Sequence, residues 1–376
     1  MAMRDDELMQ RAVTVATTAR RRTAPWPAVG CVIAREGLVV AEGATGTYPQ
    51  GPHAEVAALR AAARASADVA GASAYVTLEP CDHHGNTPPC TNALIEAGIA
   101  RVVVAVDDPD PRVAGRGYAR LRDAGIEVVT GVGHEAAARD LAPYLHHRRT
   151  GRAFVTAKVA TSIDGRVAAA DGSSRWITSE AARADAHELR ADAQAVVVGA
   201  GTALADRPAL TVRGVADPPA VAPLRVLLDA RGRVPADGPL FDPAVPTMVV
   251  TTDAADPVRA DAWRAAGAKV EVVAAAPDGP GVDLAATTRL LGGHGVLHAV
   301  IEGGGTLLGA CIAGGHAQRL VTYVAPTVLG AGGAAAFAHA GVATIADAPR
   351  FSLTRVAQLG PDARLEFDLR RVGEGD

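Results

Sequence analysis

The segment that decides the first half of the fold is EPCDHHGNTPPC at residues 79–90, which contains two of the four cysteines in the chain. Upstream of it, GPHAEVAALR at residues 51–60 has a histidine and a glutamate two positions apart, directly after a proline. Proline suits the first turn of a helix, so His53 and Cys90 are each predicted at a helix start. The apolar run at residues 72–80 predicts a strand between these helices.

The alternation of strand and helix continues outward from this unit. Apolar runs at residues 29–34 and 101–109 predict further strands, and residues 6–20, 53–65 and 90–99 have helical periodicity. Residues 118–130 predict a helix that leads into a strand. This repeated pattern predicts a layered α/β domain.

The pattern starts again after the basic bridge YLHHRRTGRAF at residues 144–154, so we place a domain boundary near residue 150. The expected domains are residues 1–150 and 151–376, and two domains suit a chain of 376 residues. Residues 179–193 predict a helix, and residues 319–326, 351–359 and 363–371 predict edge strands and a hairpin. The other strands of this half are expected at residues 155–162, 195–199, 224–229, 247–252, 269–273 and 297–301.

Composition excludes several classes of protein. The formal net charge of −4 and the 3% aromatic content do not fit a nucleic-acid-binding channel, and no apolar run approaches the ~20 residues that span a bilayer. The N-terminus has early acidic residues and lacks an apolar signal core. We therefore expect a cytoplasmic protein with no membrane or nucleic-acid partner.

The residue types of the opening segments predict a metal site. His53, Cys81 and Cys90 are ligands that suit Zn²⁺, and a catalytic zinc typically has three protein ligands with water in the fourth position. Glu55 is a poor fourth ligand but is well placed to move protons for the water. Two alternatives stay open: a closed structural site with His83 or His84 as the fourth ligand, and core cysteines that bind no metal.

These motifs closely resemble the bifunctional riboflavin biosynthesis deaminase/reductase (RibD) family, and the resemblance extends over nearly the whole chain. The later signatures follow in order: DPDPRVAGRG, RTGRAFVTAKVATSIDGRVA, DGSSRWIT, VGAGTALADRPALTVR and EGGGTLLGA. The resemblance implies an N-terminal cytidine-deaminase-like α/β/α domain and a C-terminal dihydrofolate-reductase-like α/β domain. It also implies deamination of a diaminopyrimidinone that carries a ribosylamino phosphate, reduction of the ribosyl group to ribityl with NADPH, and a homo-oligomer, either dimer or tetramer.

The resemblance further implies site residues in the second half. Glycine-rich turns before helices can hold phosphates, and Gly303 to Gly305 follow a predicted strand without the spacing of a Rossmann fingerprint. Asp206 is the candidate acid for the reduction. The substrate contacts implied are Ser174, Arg190, Leu210, Arg213 and Glu302. The NADPH site and its surroundings would include Lys158, Ala160, Trp176, Thr202, Asp206, Gly304, Gly305, Thr306, Leu307, Leu308, Gly309 and Ala310.

Some positions depart from the family pattern. Trp26 stands where the family usually has an asparagine that contacts substrate, Asn86 where it has lysine or arginine, and Arg207 where it has a second aspartate. Asp110 replaces the asparagine of the usual DPNP. The zinc set is intact, but these changes leave open an alternative: a paralogous zinc deaminase/reductase that acts on a different heterocycle in a secondary pathway.

Overall fold

A computed structural model describes residues 2–85, 87–277, 279–338 and 341–369, so Asn86 lies outside the described residues. The chain divides into two compact units, Met1–Gly151 and Arg152–Asp376. Within the described ranges, no helix combines the length and the apolar character needed to cross a membrane.

The first unit is a sheet covered by helices. Its strands are β1 (Gly30–Arg35), β2 (Leu38–Ala44), β3 (Ser73–Leu78), β4 (Arg101–Val106) and β5 (Glu127–Thr130). The sheet order is β2-β1-β3-β4-β5, with β1 antiparallel to both neighbours and β3, β4 and β5 parallel. The helices are α1 (Asp5–Thr17), α2 (Ala54–Arg64), α3 (Cys90–Glu96), α4 (Arg116–Asp123), α5 (His134–Asp140) and α6 (Ala142–Thr150).

Most elements lie where the sequence predicts them, but β2, α5 and α6 were not predicted. Glu36 and Gly37 have φ of +51° and +75° and join β1 to β2 as a tight hairpin. The segment interpreted as a basic bridge is helical up to Thr150 and buries Tyr144 and Leu145 on one face.

Helix α2, which carries Glu55, packs very closely on β2. Its buried face consists of Ala54, Glu55, Ala58 and Ala62, and the small side chains of the three alanines allow the approach. A Cβ atom at Gly43 of β2 would lie 2.2 Å from the Ala58 backbone nitrogen. The absence of a side chain at Gly43 therefore fixes the distance between α2 and the sheet.

The second unit is built on a larger sheet. The strands are β6 (Phe154–Ser162), β7 (Arg166–Ala168), β8 (Ala195–Gly199), β9 (Leu224–Leu228), β10 (Thr247–Thr251), β11 (Lys269–Val272), β12 (His298–Glu302), β13 (Arg319–Ala325), β14 (Ala334–Ala335), β15 (Phe351–Leu359) and β16 (Asp362–Leu369). In the described residues the sheet order is β11-β10-β9-β8-β12-β6-β13-β16-β15, and β7 pairs with β14 separately. The first seven strands of this order pair in parallel, and the last two, β16 and β15, pair antiparallel.

The helices of this unit are α7 (Glu180–Ala191), α8 (Ala200–Asp206), α9 (Pro257–Ala265), α10 (Leu284–Gly293) and α11 (Gly305–Ala313). The hairpin predicted near the C-terminus is present as β15 and β16. The prediction that residues 319–326 form an edge strand is wrong, because β13 pairs with β6 on one side and β16 on the other. Strand β16 is likewise interior, which leaves β15 at the edge.

The close approach at Gly43 generates the first prediction. Gly43→Ala forces α2 away from β2, so we expect it to destabilise the first unit by about 1–3 kcal/mol and to reduce metal retention. The matched control is Gly293→Ala in α10, where a Cβ atom meets nothing within 4 Å. Chemical unfolding and metal analysis provide the measurements. Wild-type stability and metal content in Gly43→Ala would contradict this account of the packing.

Candidate functional site

Three local structures bring the predicted metal ligands together in the first unit. His53 is the N-cap residue of α2, Cys90 is the first residue of α3, and Cys81 lies in the loop after β3. The Thr91 N–H donates to the carbonyl of Cys81 at 3.3 Å, which ties this loop to the start of α3.

The geometry of this cluster fits a zinc ion. His53 Nδ1 lies 3.5 Å from Cys81 Sγ and 3.2 Å from Cys90 Sγ. All three ligand atoms lie within 4.8 Å of one another. Tetrahedral zinc bonds of about 2.0–2.1 Å to nitrogen and 2.3 Å to sulfur imply about 3.6 Å between nitrogen and sulfur. Among the described residues, His83 and His84 do not join this group, which disfavours the closed structural site.

The contact between the two cysteines favours a thiolate at Cys81 and a protonated thiol at Cys90. A hydrogen bond from Cys90 lowers the pKa of Cys81 to about 4, and the same interaction raises the pKa of Cys90. The hydrogen bond with Cys81 also raises the pKa of His53. Metal binding requires deprotonated sulfur, so Cys81 is prepared to be a ligand.

Glu55 lies beside this cluster with its side chain enclosed. The residue is 3% exposed, and burial, followed by the nearby Cys81, raises the pKa of its carboxyl group. It also lines a cleft of about 200 Å³ together with His53 and Cys81. A buried carboxyl group that faces a cleft next to a metal site can carry protons to and from a bound molecule.

The other walls of the cleft include Trp26, at a position where the family usually contacts substrate, and also Asp108 and Tyr144, which were not predicted as site residues. Trp26 lines the cleft with its ring centroid 5.5 Å from that of His53, in an edge-on arrangement. Tyr144 donates a hydrogen bond to buried Asp108 at 3.1 Å, and burial raises the pKa of Asp108. Asp108 lies two residues after the end of β4, so its position at the carboxyl end of a parallel strand was a usable signal.

The second unit contains a largely buried charge cluster. Glu302 accepts hydrogen bonds from Arg190, one of them at 2.9 Å, and lies 3.4 Å from Lys158 Nζ. Burial opposes the ionisation of Glu302, but Lys158 and Arg190 outweigh it and lower its pKa to about 2. Arg190 also donates to the carbonyl of Thr211 at 3.0 Å. The structure thus brings three predicted residues into direct contact, with a net positive charge.

The glycine-rich turn lies at the expected junction between β12 and α11. Gly304 is the N-cap residue of α11, and its N–H donates to Thr202 Oγ1 at 2.9 Å. A Cβ atom at Gly305 would lie 2.2 Å from the carbonyl oxygen of Ala335, so the turn requires glycine there. The first N–H groups of a helix lack intrahelical acceptors, so Gly305 and Thr306 fit a cofactor phosphate.

Asp206 ends α8, the helix that also carries Thr202. Its carbonyl accepts a hydrogen bond of 2.8 Å from Arg175, which immediately precedes Trp176. Trp176 is 69% exposed and has the guanidinium of Arg183 stacked 4.4 Å from its ring centroid. Contacts therefore connect the DGSSRWIT segment to α8 and to the glycine-rich turn.

The remaining predicted residues vary in exposure. Leu210 is buried and has φ of +51°, an unusual conformation for a leucine, and Arg207 has φ of +43° after α8. Leu308 and Gly309 are buried within α11, so the side chain of Leu308 belongs to the core. Ala160 lies two positions after Lys158 on β6, Ser174 is half-buried, and Ala310 and Arg213 are exposed. Leu307 packs against the core from a partly buried position.

The ligand cluster generates the second prediction. Purified protein should contain about one zinc per chain, and Cys81→Ser or Cys90→Ser should lose most of it because each removes one of three ligands. His83→Ala and His84→Ala are the matched controls and should retain zinc. Elemental analysis measures the content. Full zinc retention in the Cys81→Ser, Cys90→Ser double variant would disprove the proposed zinc site. Loss of zinc in His83→Ala would instead favour the closed structural site.

Sequence comparisons match both units. The family model described as cytidine and deoxycytidylate deaminase zinc-binding region matches residues 3–106, and the RibD C-terminal domain matches residues 153–365. The chain is 38% identical over 375 residues to riboflavin biosynthesis protein RibD of Bacillus amyloliquefaciens, covering 99% of this chain and 98% of the relative. It is 43% identical over 370 residues to RibD of Mycobacterium tuberculosis, covering 97% of each protein.

Solved structures agree with these matches. Acinetobacter baumannii RibD superposes with a TM-score of 0.84 at 38% identity, covering 98% of this chain and 99% of that one. A Thermotoga maritima diaminohydroxyphosphoribosylaminopyrimidine deaminase/5-amino-6-(5-phosphoribosylamino)uracil reductase gives 0.84 at 31% identity, covering 97% and 99%. The predicted α/β fold class, with its deaminase-like and reductase domains, and the predicted zinc and NADPH cofactors are confirmed. The chain therefore belongs to the RibD family and is a bifunctional deaminase and reductase of riboflavin biosynthesis.

Proposed function

We propose that residues 1–150 deaminate a diaminopyrimidinone that carries a ribosylamino phosphate, and that residues 151–376 reduce the ribosyl group of the deaminated product to ribityl. The observation that carries the proposal is the position of Glu55, buried beside three zinc-type ligands and facing a cleft. The two activities in the name of the Thermotoga maritima relative support the same pair of reactions.

In the first unit, His53, Cys81 and Cys90 would hold zinc. When bound, zinc supplies Lewis acidity that lowers the pKa of water. Glu55 accepts a proton as the oxygen of water bonds to the ring carbon that bears the amino group, and it delivers this proton to the adjacent ring nitrogen. Glu55 then takes the proton of the new hydroxyl group and gives it to the amino group, so the carbon–nitrogen bond breaks with release of neutral ammonia and a carbonyl group remains on the ring. Enclosure of Glu55 keeps its proton near the reacting atoms.

In the second unit, the N–H groups of Gly305 and Thr306 would bind a phosphate of NADPH, which supplies a hydride. The surplus positive charge of Lys158 and Arg190 over Glu302 would attract the phosphorylated substrate. Ser174, Leu210 and Arg213 complete the proposed substrate contacts. Reduction of an imine or carbonyl also requires a proton, and we assign its delivery to Asp206.

The reported matches give no support to the alternative of a paralogue that acts on another heterocycle. A small-molecule pyrimidine ribosyl phosphate is the substrate class of the family. The homo-oligomer, dimer or tetramer, and the cytoplasmic location stay predictions.

The division of labour between Glu55 and Asp206 provides the third prediction. Glu55→Gln preserves size but removes the titrating carboxyl group, so deamination should fall by about 10²-fold or more while zinc is retained. Asp206→Asn should spare ammonia release and weaken NADPH oxidation. Ammonia release and NADPH absorbance are measured separately, the latter with the deaminated intermediate.

The matched control for Glu55→Gln is Glu96→Gln at the exposed end of α3, which should retain both activities. A two-site enzyme predicts that Glu55→Gln still oxidises NADPH with the deaminated intermediate. Loss of both activities from folded, zinc-loaded Glu55→Gln would disprove two independent sites.

A further inference from the structure

The deaminase cleft contains two arginines that the proposed proton transfers do not use. Arg112 and Arg148 both line the cleft that holds His53 and Glu55. Arg112 follows the DPDP segment, and Arg148 lies on α6 one turn after Tyr144. The side chain of Arg112 is 65% exposed, whereas that of Arg148 is 28% exposed, so Arg148 is the more enclosed of the two cations.

The carboxylate of Asp110 lies near both arginines. Asp110, with a side chain that is 7% exposed, accepts hydrogen bonds from Arg112 at 2.7 and 3.0 Å. The nearest oxygen of the same carboxylate is 4.0 Å from Arg148 Nη1, which is beyond hydrogen-bond distance. Of the two arginines, Asp110 therefore forms hydrogen bonds with Arg112 and not with Arg148. The adjacent Asp108 is occupied by Tyr144 and by the N–H of Asp110.

Arg148 is held in place but keeps unused donors. Its guanidinium lies 5.2 Å from the centroid of the Tyr144 ring, a stacking contact between residues one helical turn apart. Its side chain is 28% exposed, and its Nε is buried without a hydrogen-bond partner among the described residues. A guanidinium that is fixed by stacking, and that has a nitrogen without a protein acceptor, is suited to bind oxygens arranged as in phosphate.

A second buried donor lies in the same cleft. His83 also lines it, and its Nδ1 is buried with no hydrogen-bond partner in the part of the chain that the structure describes. Buried polar atoms in folded proteins nearly always have partners, and the cleft-lining residues Arg148, His83 and Glu79 each have one atom without a partner among the described residues. These atoms indicate a polar ligand that brings acceptor oxygens for the two nitrogens and a donor for Glu79.

We propose that Arg148, positioned by Tyr144 and by the Asp110–Arg112 ion pair, binds the phosphate of the deaminase substrate. This inference rests on the proposed function and adds to it a specificity contact in the first unit. The base end of the substrate lies toward Glu55 and the metal ligands, and the phosphate end lies toward Arg148. The cleft then selects the phosphorylated substrate over its nucleoside.

The test compares deamination of the ribosylamino phosphate with that of its dephosphorylated nucleoside, in zinc-loaded full-length protein. Arg148→Met should raise KM for the phosphorylated substrate by about 10- to 100-fold, since a hydrogen bond to a charged group is lost. The contact does not change between ground and transition state, so kcat should change little. KM for the nucleoside should change by less than about twofold, and Arg148→Lys should recover most of the loss.

Arg149→Met is the matched control, because Arg149 is the exposed neighbour on the same helix, and it should behave as wild type. Equal losses on both substrates in Arg148→Met, or no loss on the phosphorylated one, would overturn the proposal. If wild type deaminates neither compound, the proposed function fails separately. Titration of wild type and Arg148→Met with inorganic phosphate then decides the inference, since equal affinities would refute it.

Discussion

The first unit depends on one geometric constraint: a histidine nitrogen and two cysteine sulfurs must approach a common point. His53 is 28 residues from Cys81 and 37 from Cys90, yet their ligand atoms are 3.5 and 3.2 Å apart. Helix α2, strand β3 and helix α3 must therefore meet at the carboxyl end of β3, the central strand of the sheet. The contact at Gly43 sets the depth of α2, and this depth brings Glu55 into the cleft. The packing of α2 on β2 therefore determines where the proposed acid/base residue, Glu55, lies.

The second unit depends on a different constraint, because it encloses the charged side chains of Lys158, Arg190 and Glu302. Glu302 at the end of β12 is ionised because Lys158 from the neighbouring β6 and Arg190 from α7 surround it. Removing one member would leave buried charge unpaired, so the cluster holds its geometry before any ligand arrives. The glycine-rich turn begins one residue later, which places a charged group and backbone N–H donors side by side.

The sequence predicted features that depend on local pattern. Long apolar strands such as β4 and β6, and the zinc ligands with their adjacent prolines, were read from periodicity and residue type. Strand β2 was not predicted, because its buried and exposed residues do not alternate clearly. Its turn is also Glu-Gly, which is not one of the usual hairpin pairs. The interior position of β13 depends on β16, a pairing that no local pattern contains. Arg148 and Asp110 could not be matched from sequence, because their proximity arises only when α6 packs near the end of β4.

We propose that one chain performs a deamination and then a reduction on the same pyrimidine ribosyl phosphate. The most direct test incubates zinc-loaded protein with the diaminopyrimidinone ribosylamino phosphate, with and without NADPH, and follows the products by mass spectrometry. Without NADPH, the account predicts ammonia and a product in which an oxygen replaces one amino group. With NADPH, it predicts the same replacement and the addition of two hydrogens to the ribosyl group. Reduction without prior loss of ammonia, or no ammonia release under either condition, would contradict it.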